Sequence, residues 1–293
     1  MNDSTDTAAT SAAAPPAQRA ASRPDSDDAE LKAKHRGIWT MGDYAAVATE
    51  IIPALGPVLV EAAGIGPGQR VLDVAAGTGN VAIPAALTGA DVVASDLTPR
   101  LLEIGALDAA DRGAVLEWIE ADAENLPFED ASYDAVLSCV GVMFAPHHQA
   151  AADELVRVAR PGATIGLISW TPEGFIGQLF ATMKPYVAPP PPGVQPPPLW
   201  GKEEHVTALL GDAVTDVKIE RRTLRVDFYS RPDEFRDYFK TKYGPTMAAY
   251  RAHADNPEKT AELDRDLDAV AARFQGDDGT MEWEYLLLTA RRH

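Results

Sequence analysis

The chain has 293 residues, a net charge of −18 from 26 Lys+Arg against 44 Asp+Glu, and 46% hydrophobic residues, enough for a substantial core. Its single cysteine, Cys139, excludes an internal disulfide framework and any multi-cysteine zinc site and suits a reducing compartment; no metal ligand set is expected. The acidic balance argues against nucleic-acid partners, whose binding rests on phosphate neutralisation, and no run of about 18 apolar residues is present to span a membrane.

Met1–Asp28 is rich in Ala, Ser, Thr, Asp and Pro, and lacks the basic start and long apolar run of a signal peptide. It cannot bury enough apolar surface to offset ordering entropy, so residues 1–30 are expected to be a disordered tail and 31–293 one folded domain. The expected location is the cytoplasm. Tyr44, Val47, Ala48, Ile51, Ile52 and Leu55 recur at helical spacing, with Asp43 placed as an N-cap. Pro53 is expected to kink that helix or to start a second one, ending near Ala63.

An alternation of strands and helices follows. Strands are expected over Arg70–Val74, Asp91–Ser95, Val115–Glu120, Tyr133–Val140 and Ala163–Trp170. Between them lie helices over Gly79–Leu87, after Thr98-Pro99 (N-cap and first position), and through Ala152, Leu155, Val156 and Ala159 to the stop at Pro161-Gly162. This spacing predicts parallel strands with helices on both faces. Beyond Trp170 the rhythm breaks. Phe175–Met183 reads as helix, Ala188–Trp200 as extended or polyproline II, and Glu203–Leu210 as a short helix. An alternating segment Val217–Phe228, helices near Pro232–Tyr243 and Pro257–Phe274, and an apolar strand Trp283–Ala290, expected at or near a sheet edge, complete the chain.

The chemistry-bearing segment is Val71-Leu72-Asp73-Val74-Ala75-Ala76-Gly77-Thr78-Gly79-Asn80, a buried strand running through two glycines into a helix start. The glycines allow positive φ and close approach of a ligand to the backbone, and the helix start offers free N–H groups to an anion. Asp96 closes the second strand, where an acid in a doubly wound sheet can accept both hydroxyls of a ribose. In the turn Asp122-Ala123-Glu124-Asn125-Leu126-Pro127-Phe128, Asp122 can accept from an adenine amino group and the Ala123 N–H can donate to the ring.

The ordered pieces VLDVAAGTG, ASDLTP, ADAENLPF, YDAVLSCVGVMF and VARPGATIGLISW resemble class I S-adenosylmethionine-dependent methyltransferases, closest to the small-molecule branch that includes the quinone-biosynthesis type. The resemblance is carried by about residues 40–170. It implies an α/β, Rossmann-like doubly wound seven-stranded sheet with an antiparallel last strand, plus helical substrate-covering insertions. The cofactor half would span about 65–170, and the covering segments about 31–64 and 171–280. It implies S-adenosyl-L-methionine as cofactor, held at the methionine end by Asp73, Gly77, Thr78, Gly79 and Asn80. Asp96 and Leu97 would take the ribose, Asp122 and Ala123 the adenine, and Ser138 would lie against the cofactor's backbone side. Ala75 stands where such proteins often carry a first glycine.

Plainer readings stand beside these. The glycines could serve only a tight turn, Asp96 a helix cap and Asp122 a turn. Cys139 reads as a small buried hydrophobe. His147, His148 and Glu173 are candidate acceptor-facing groups but read more simply as surface or capping residues, so no catalytic residue is assigned. Trp39, Tyr44, Trp170, Phe175, Trp200, Tyr243 and Tyr250 would line an apolar pocket for a small hydrophobic or aromatic methyl acceptor. The rivals are a non-catalytic cofactor-binding regulator or partner subunit and a nicotinamide-dependent oxidoreductase; the latter would want a third glycine where Ala82 stands. The (Asn/Asp)-Pro-Pro-aromatic motif of DNA amino-methylating enzymes is absent at Ser138-Cys139-Val140-Gly141.

Overall fold

The computed structural model describes residues 26–293. Of the expected tail, 1–25 lies outside the described residues, and the stretch from Ser26 is the start of helix α1 (Ser26–Trp39), with Asp27 and Asp28 at its positive end. The Asp43 side chain caps α2 (Tyr44–Ala46) by accepting from the Ala46 N–H at 3.1 Å. A π-helical turn, Val47–Ile51, follows, and beyond Pro53 the chain resumes as α3 (Leu55–Ala63), bent by 69°. Gly64, at φ 67°, ends α3 in the left-handed region. No single helix among the described residues is long and apolar enough to cross a membrane.

The alternating core comprises β1 (Arg70–Val74), α4 (Ala82–Leu87), β2 (Asp91–Asp96), α5 (Pro99–Asp111), β3 (Glu117–Glu120), β4 (Tyr133–Cys139), α6 (His148–Val158) and β5 (Ala159–Trp170). The covering region adds α7 (Phe175–Met183), α8 (Glu203–Leu210), β6 (Val214–Val226), α9 (Pro232–Lys242), α10 (Gly244–Arg251) and α11 (Pro257–Phe274), before β7 (Met281–Arg292). All seven strands form one sheet in the order β3-β2-β1-β4-β5-β7-β6. The first five pair in parallel, and β7 is antiparallel to both β5 and β6. The closing strand therefore lies one place in from the edge. The edge itself is β6, largely exposed and studded with Lys218, Arg221, Arg222 and Arg225, which discourages pairing with another sheet.

Most elements fall where the apolar runs place them, and the departures have local causes. Strand β5 begins at Ala159, not Ala163, because Pro161-Gly162 does not end the segment; Ala159 already pairs with Tyr133 across a register shift. Helix α4 starts at Ala82 because Gly77–Val81 is spent on the turn over the sheet. Helix α10, which no periodicity announced, follows α9 directly, Tyr243 serving both as the end of one and the cap of the other.

The order reverses between β1 and β4, the place where an open α/β sheet leaves a crevice at its carboxyl ends. Helix α3 packs so closely on the loop after β1 that a Cβ on Gly56 would lie 1.7 Å from the Asn80 carbonyl oxygen. Gly56→Ala is therefore expected to lower the unfolding free energy by about 1–3 kcal/mol or more. Gly66→Ala, at a position with nothing within 4 Å, should be near neutral in the same urea or thermal unfolding experiment.

Candidate functional site

The loop after β1 is held by backbone constraints. Ala75, Gly77 and Gly79 all have positive φ (55°, 57° and 85°), so Ala75 adopts a left-handed conformation that disfavours a Cβ. The Ala76 N–H donating to the Ser95 carbonyl (2.9 Å) holds it there. Gly141 makes room, since a Cβ on it would lie 2.2 Å from the Ala75 oxygen. The two loop glycines have different tasks. Gly77 faces the crevice beneath the Tyr44 ring, whereas a Cβ on Gly79 would strike Trp118 and Ile83 in the core.

Asp96 organises the loop from the end of β2. One carboxylate oxygen accepts from the Gly77 N–H (2.9 Å) and the other from the Thr98 N–H (2.8 Å). Burial raises its pKa, and the two backbone hydrogen bonds oppose that rise. It thus ties the loop after β1 to Thr98, the N-cap residue of α5, while lining the cavity. Asp73 accepts from the Ala82 N–H (2.9 Å), and burial, with the Asp96 charge adding to it, pushes its pKa up to about 8. Ser138 donates to the Val74 carbonyl (2.6 Å) and accepts from the Val142 N–H (2.9 Å), tying β4 to β1.

A partly open cavity of about 830 Å³, including the space at its mouth, lies above these strand ends. Gly77, Thr78, Asn80, Asp96, Leu97, Asp122 and Ala123 all line it; Asp73, Gly79 and Ser138 stand behind its wall. Trp39, Tyr44 and Phe144 line it as well, the Tyr44 ring standing over Gly77, with Trp39 edge-on to Phe144 (4.7 Å between centroids), Tyr44 (5.3 Å) and the buried Tyr243 (6.0 Å). Cys139, at the last position of β4, is half-buried: it packs against the core and also lines the cavity. Burial raises the pKa of its thiol and of the Tyr44 hydroxyl, so both hold their protons at neutral pH.

Residues of α1 also reach the cavity, at a spacing that puts Lys32, His35 and Trp39 on one helix face. The Lys32 ammonium lies 2.6 Å from Asp122 and 2.6 Å from Glu124. Burial lowers its pKa, but these two hydrogen bonds and charges outweigh that and leave it raised. The other Asp122 oxygen accepts from the Glu124 N–H (3.0 Å). Possible cation ligands in Asp28, Glu124 and His147 gather within 4.8 Å, but Lys32 itself supplies the positive charge to Glu124. Arg36 donates to the Leu97 carbonyl (3.0 Å) and pairs with Glu120 (2.7 Å). Burial, ahead of the surrounding charges, lowers the pKa of His35 and favours a neutral imidazole. Sequence pattern had singled out neither Lys32 nor His35; their shared spacing with Trp39 is the signal that was there.

Other expected candidates lie elsewhere. His147 is turned to Glu124 (2.9 Å), outside the cavity lining, and Glu173 is exposed, 3.5 Å from Arg221. Trp170, Phe175, Trp200 and Tyr250 are core residues: Trp170 and Phe175 pack on Trp283, Trp200 packs on His148, and the Tyr250 hydroxyl donates to Asp264.

A family model described as a methyltransferase domain matches residues 72–167. An uncharacterized protein of Mycobacterium tuberculosis is 54% identical over 269 residues, 92% of this chain and 98% of that protein. The demethylmenaquinone methyltransferase of Clavibacter sepedonicus is 43% identical over 98 residues, 33% of this chain and 40% of that enzyme. Among solved structures, the YcgJ protein of Bacillus subtilis superposes with a TM-score of 0.56 at 16% identity, over 80% of this chain and 97% of that one.

Beside the site, the fully buried His148 faces His205 at 2.9 Å. Burial first, then the His205 and His147 charges, push its pKa down to about 4. The unfolded chain, with an ordinary histidine pKa near 6.5, therefore takes up this proton first. Stability is expected to fall as pH drops from about 6.5 towards 4, and His148→Gln should flatten that slope in urea unfolding at pH 7, 6 and 5.

Proposed function

We propose that this chain, which belongs to the class I S-adenosylmethionine-dependent methyltransferases, methylates a small apolar or aromatic metabolite in the cytoplasm. The carrying observation is one cavity lined both by Gly77, Asp96 and Asp122 and by the rings of Trp39, Tyr44 and Phe144. The likeness to demethylmenaquinone methyltransferase lies within a third of the chain, so the acceptor is argued from the cavity.

The residues present fit the cofactor. Each Asp96 oxygen uses one lone pair on a backbone amide, leaving others for ribose hydroxyls. Gly77 presents bare backbone, with Thr78 and Asn80 beside it for the methionine end, and Asp122 and Ala123 border the adenine end. Leu97 supplies an apolar wall. Asp73, Gly79 and Ser138 act from behind, keeping the loop in shape.

When bound, S-adenosylmethionine supplies an activated methyl on a sulfonium, whose leaving group is a neutral thioether. The protein's task is to hold an acceptor in line with that methyl and keep water out, for which proximity and orientation are worth roughly 7–11 kcal/mol. Trp39, Tyr44 and Phe144 provide a dry, flat-sided chamber suited to a planar apolar acceptor. With the Tyr44 hydroxyl and Cys139 thiol protonated, neither serves as a base at neutral pH, which leaves the neutral imidazole of His35 as the proton acceptor in the cavity lining for a substrate that needs one.

Calorimetric titration is expected to show binding of S-adenosylmethionine and S-adenosylhomocysteine but not of NADH; binding of NADH alone would reverse the reading. Asp96→Ala should weaken S-adenosylhomocysteine binding by about 1.5–3 kcal/mol, with Asp96→Asn as the control that keeps side-chain shape. Transfer of a labelled methyl to apolar phenols or quinols separates an enzyme from a non-catalytic binder.

A further inference from the structure

We propose that Lys32 is a positioning residue for the adenosyl end of the cavity, clamping Asp122 and Glu124 to α1 so that the helix controls how fast the cofactor leaves. This inference rests on the methyltransferase reading and deepens it.

The Lys32 side chain is only 9% exposed, and its ammonium reaches Asp122 and Glu124 at 2.6 Å each, with Asp28 at 3.7 Å. Glu124, itself 7% exposed, is also held by His147, whose N–H donates to its other oxygen (2.6 Å) and whose ring meets the oxygen that Lys32 binds (2.9 Å), which anchors the clamp to the start of α6. Helix α1 is thereby fastened to the two residues that border the cofactor's expected path: Asp122 through Lys32, and Leu97 through Arg36. The Arg36–Glu120 pair is nearly half exposed on both sides and holds weakly. The Lys32 cluster is far better shielded from solvent and salt. With Lys32 and His35 both in the cavity lining, the adenosyl end cannot open to its full width while α1 is seated.

Glu124 tests the clamp better than Asp122 does, because it binds Lys32 without lining the cavity, and the double variant separates the loss of Lys32 from that of its His147 contacts. Stopped-flow measurements would follow S-adenosylhomocysteine association and dissociation in the full chain, as wild type, Glu124→Gln, Lys32→Met, the double variant and Lys32→Arg. Dissociation from Glu124→Gln and Lys32→Met is expected to quicken about tenfold, with association within about threefold, since losses of this kind fall mainly on the off-rate. The double variant should be no faster than the faster single one, and Lys32→Arg should recover part of the slow release. Amide hydrogen exchange across α1 should slow on ligand addition in wild type and less so in Glu124→Gln. Should Lys32→Met not fold, the isosteric Glu124→Gln carries the test alone. Wild-type release rates from a folded Glu124→Gln protein overturn the clamp and leave the methyltransferase reading intact. A wild type that does not bind S-adenosylhomocysteine overturns both.

Discussion

A carboxylate at the end of β2 holds the crevice open. Asp96 is drawn out of water and accepts from two backbone amides belonging to different elements, Gly77 in the loop after β1 and Thr98 at the start of α5. Without it, both N–H groups would lose their partner, at about 1–3 kcal/mol for each buried donor left unpaired. Ala75 would then hold its left-handed backbone with less support. The glycine loop is therefore set before any ligand arrives, which is what orientation-dependent chemistry asks of a site.

Much of this was readable from sequence because its causes are local. Parallel strands covered on both faces read as unbroken apolar runs, and Asp43, Thr98-Pro99 and Gly64 mark helix ends by their own backbone preferences. The loop residues were legible as a group but not one by one. The family resemblance puts Asp73, Gly79 and Ser138 at the cofactor, yet whether such a residue faces the crevice or the core depends on what packs behind it. Trp118 and Ile83 decide that for Gly79, and Val74 and Val142 for Ser138. Aromatic residues were the least informative class. Trp170, Phe175 and Trp200 are absorbed by the core beneath the covering helices, because large rings contribute most where they are fully buried.

Helix α1 was legible at its Trp39 end, expected in the cavity wall, and not at its Lys32 end. Its residues are mostly polar, so its composition resembles a solvated helix, and its identity as a wall comes from partners about a third of the chain away. Lys32 meets Asp122 and Glu124 across 90 and 92 positions. No periodic pattern within Ser26–Trp39 encodes that meeting.

Lys32 and Trp39 lie seven residues apart on one face of α1, about 10 Å along its axis at 1.5 Å per residue. One end of the helix meets Asp122 and Glu124, the other the ring cluster of Tyr44, Phe144 and Tyr243. A single rigid element thus completes the walls of both halves of the cavity, and seating it at one end places it at the other. In-line displacement depends on alignment and on the exclusion of water from both partners together. Joining the two walls through one helix meets that need without any further side chain in the chamber.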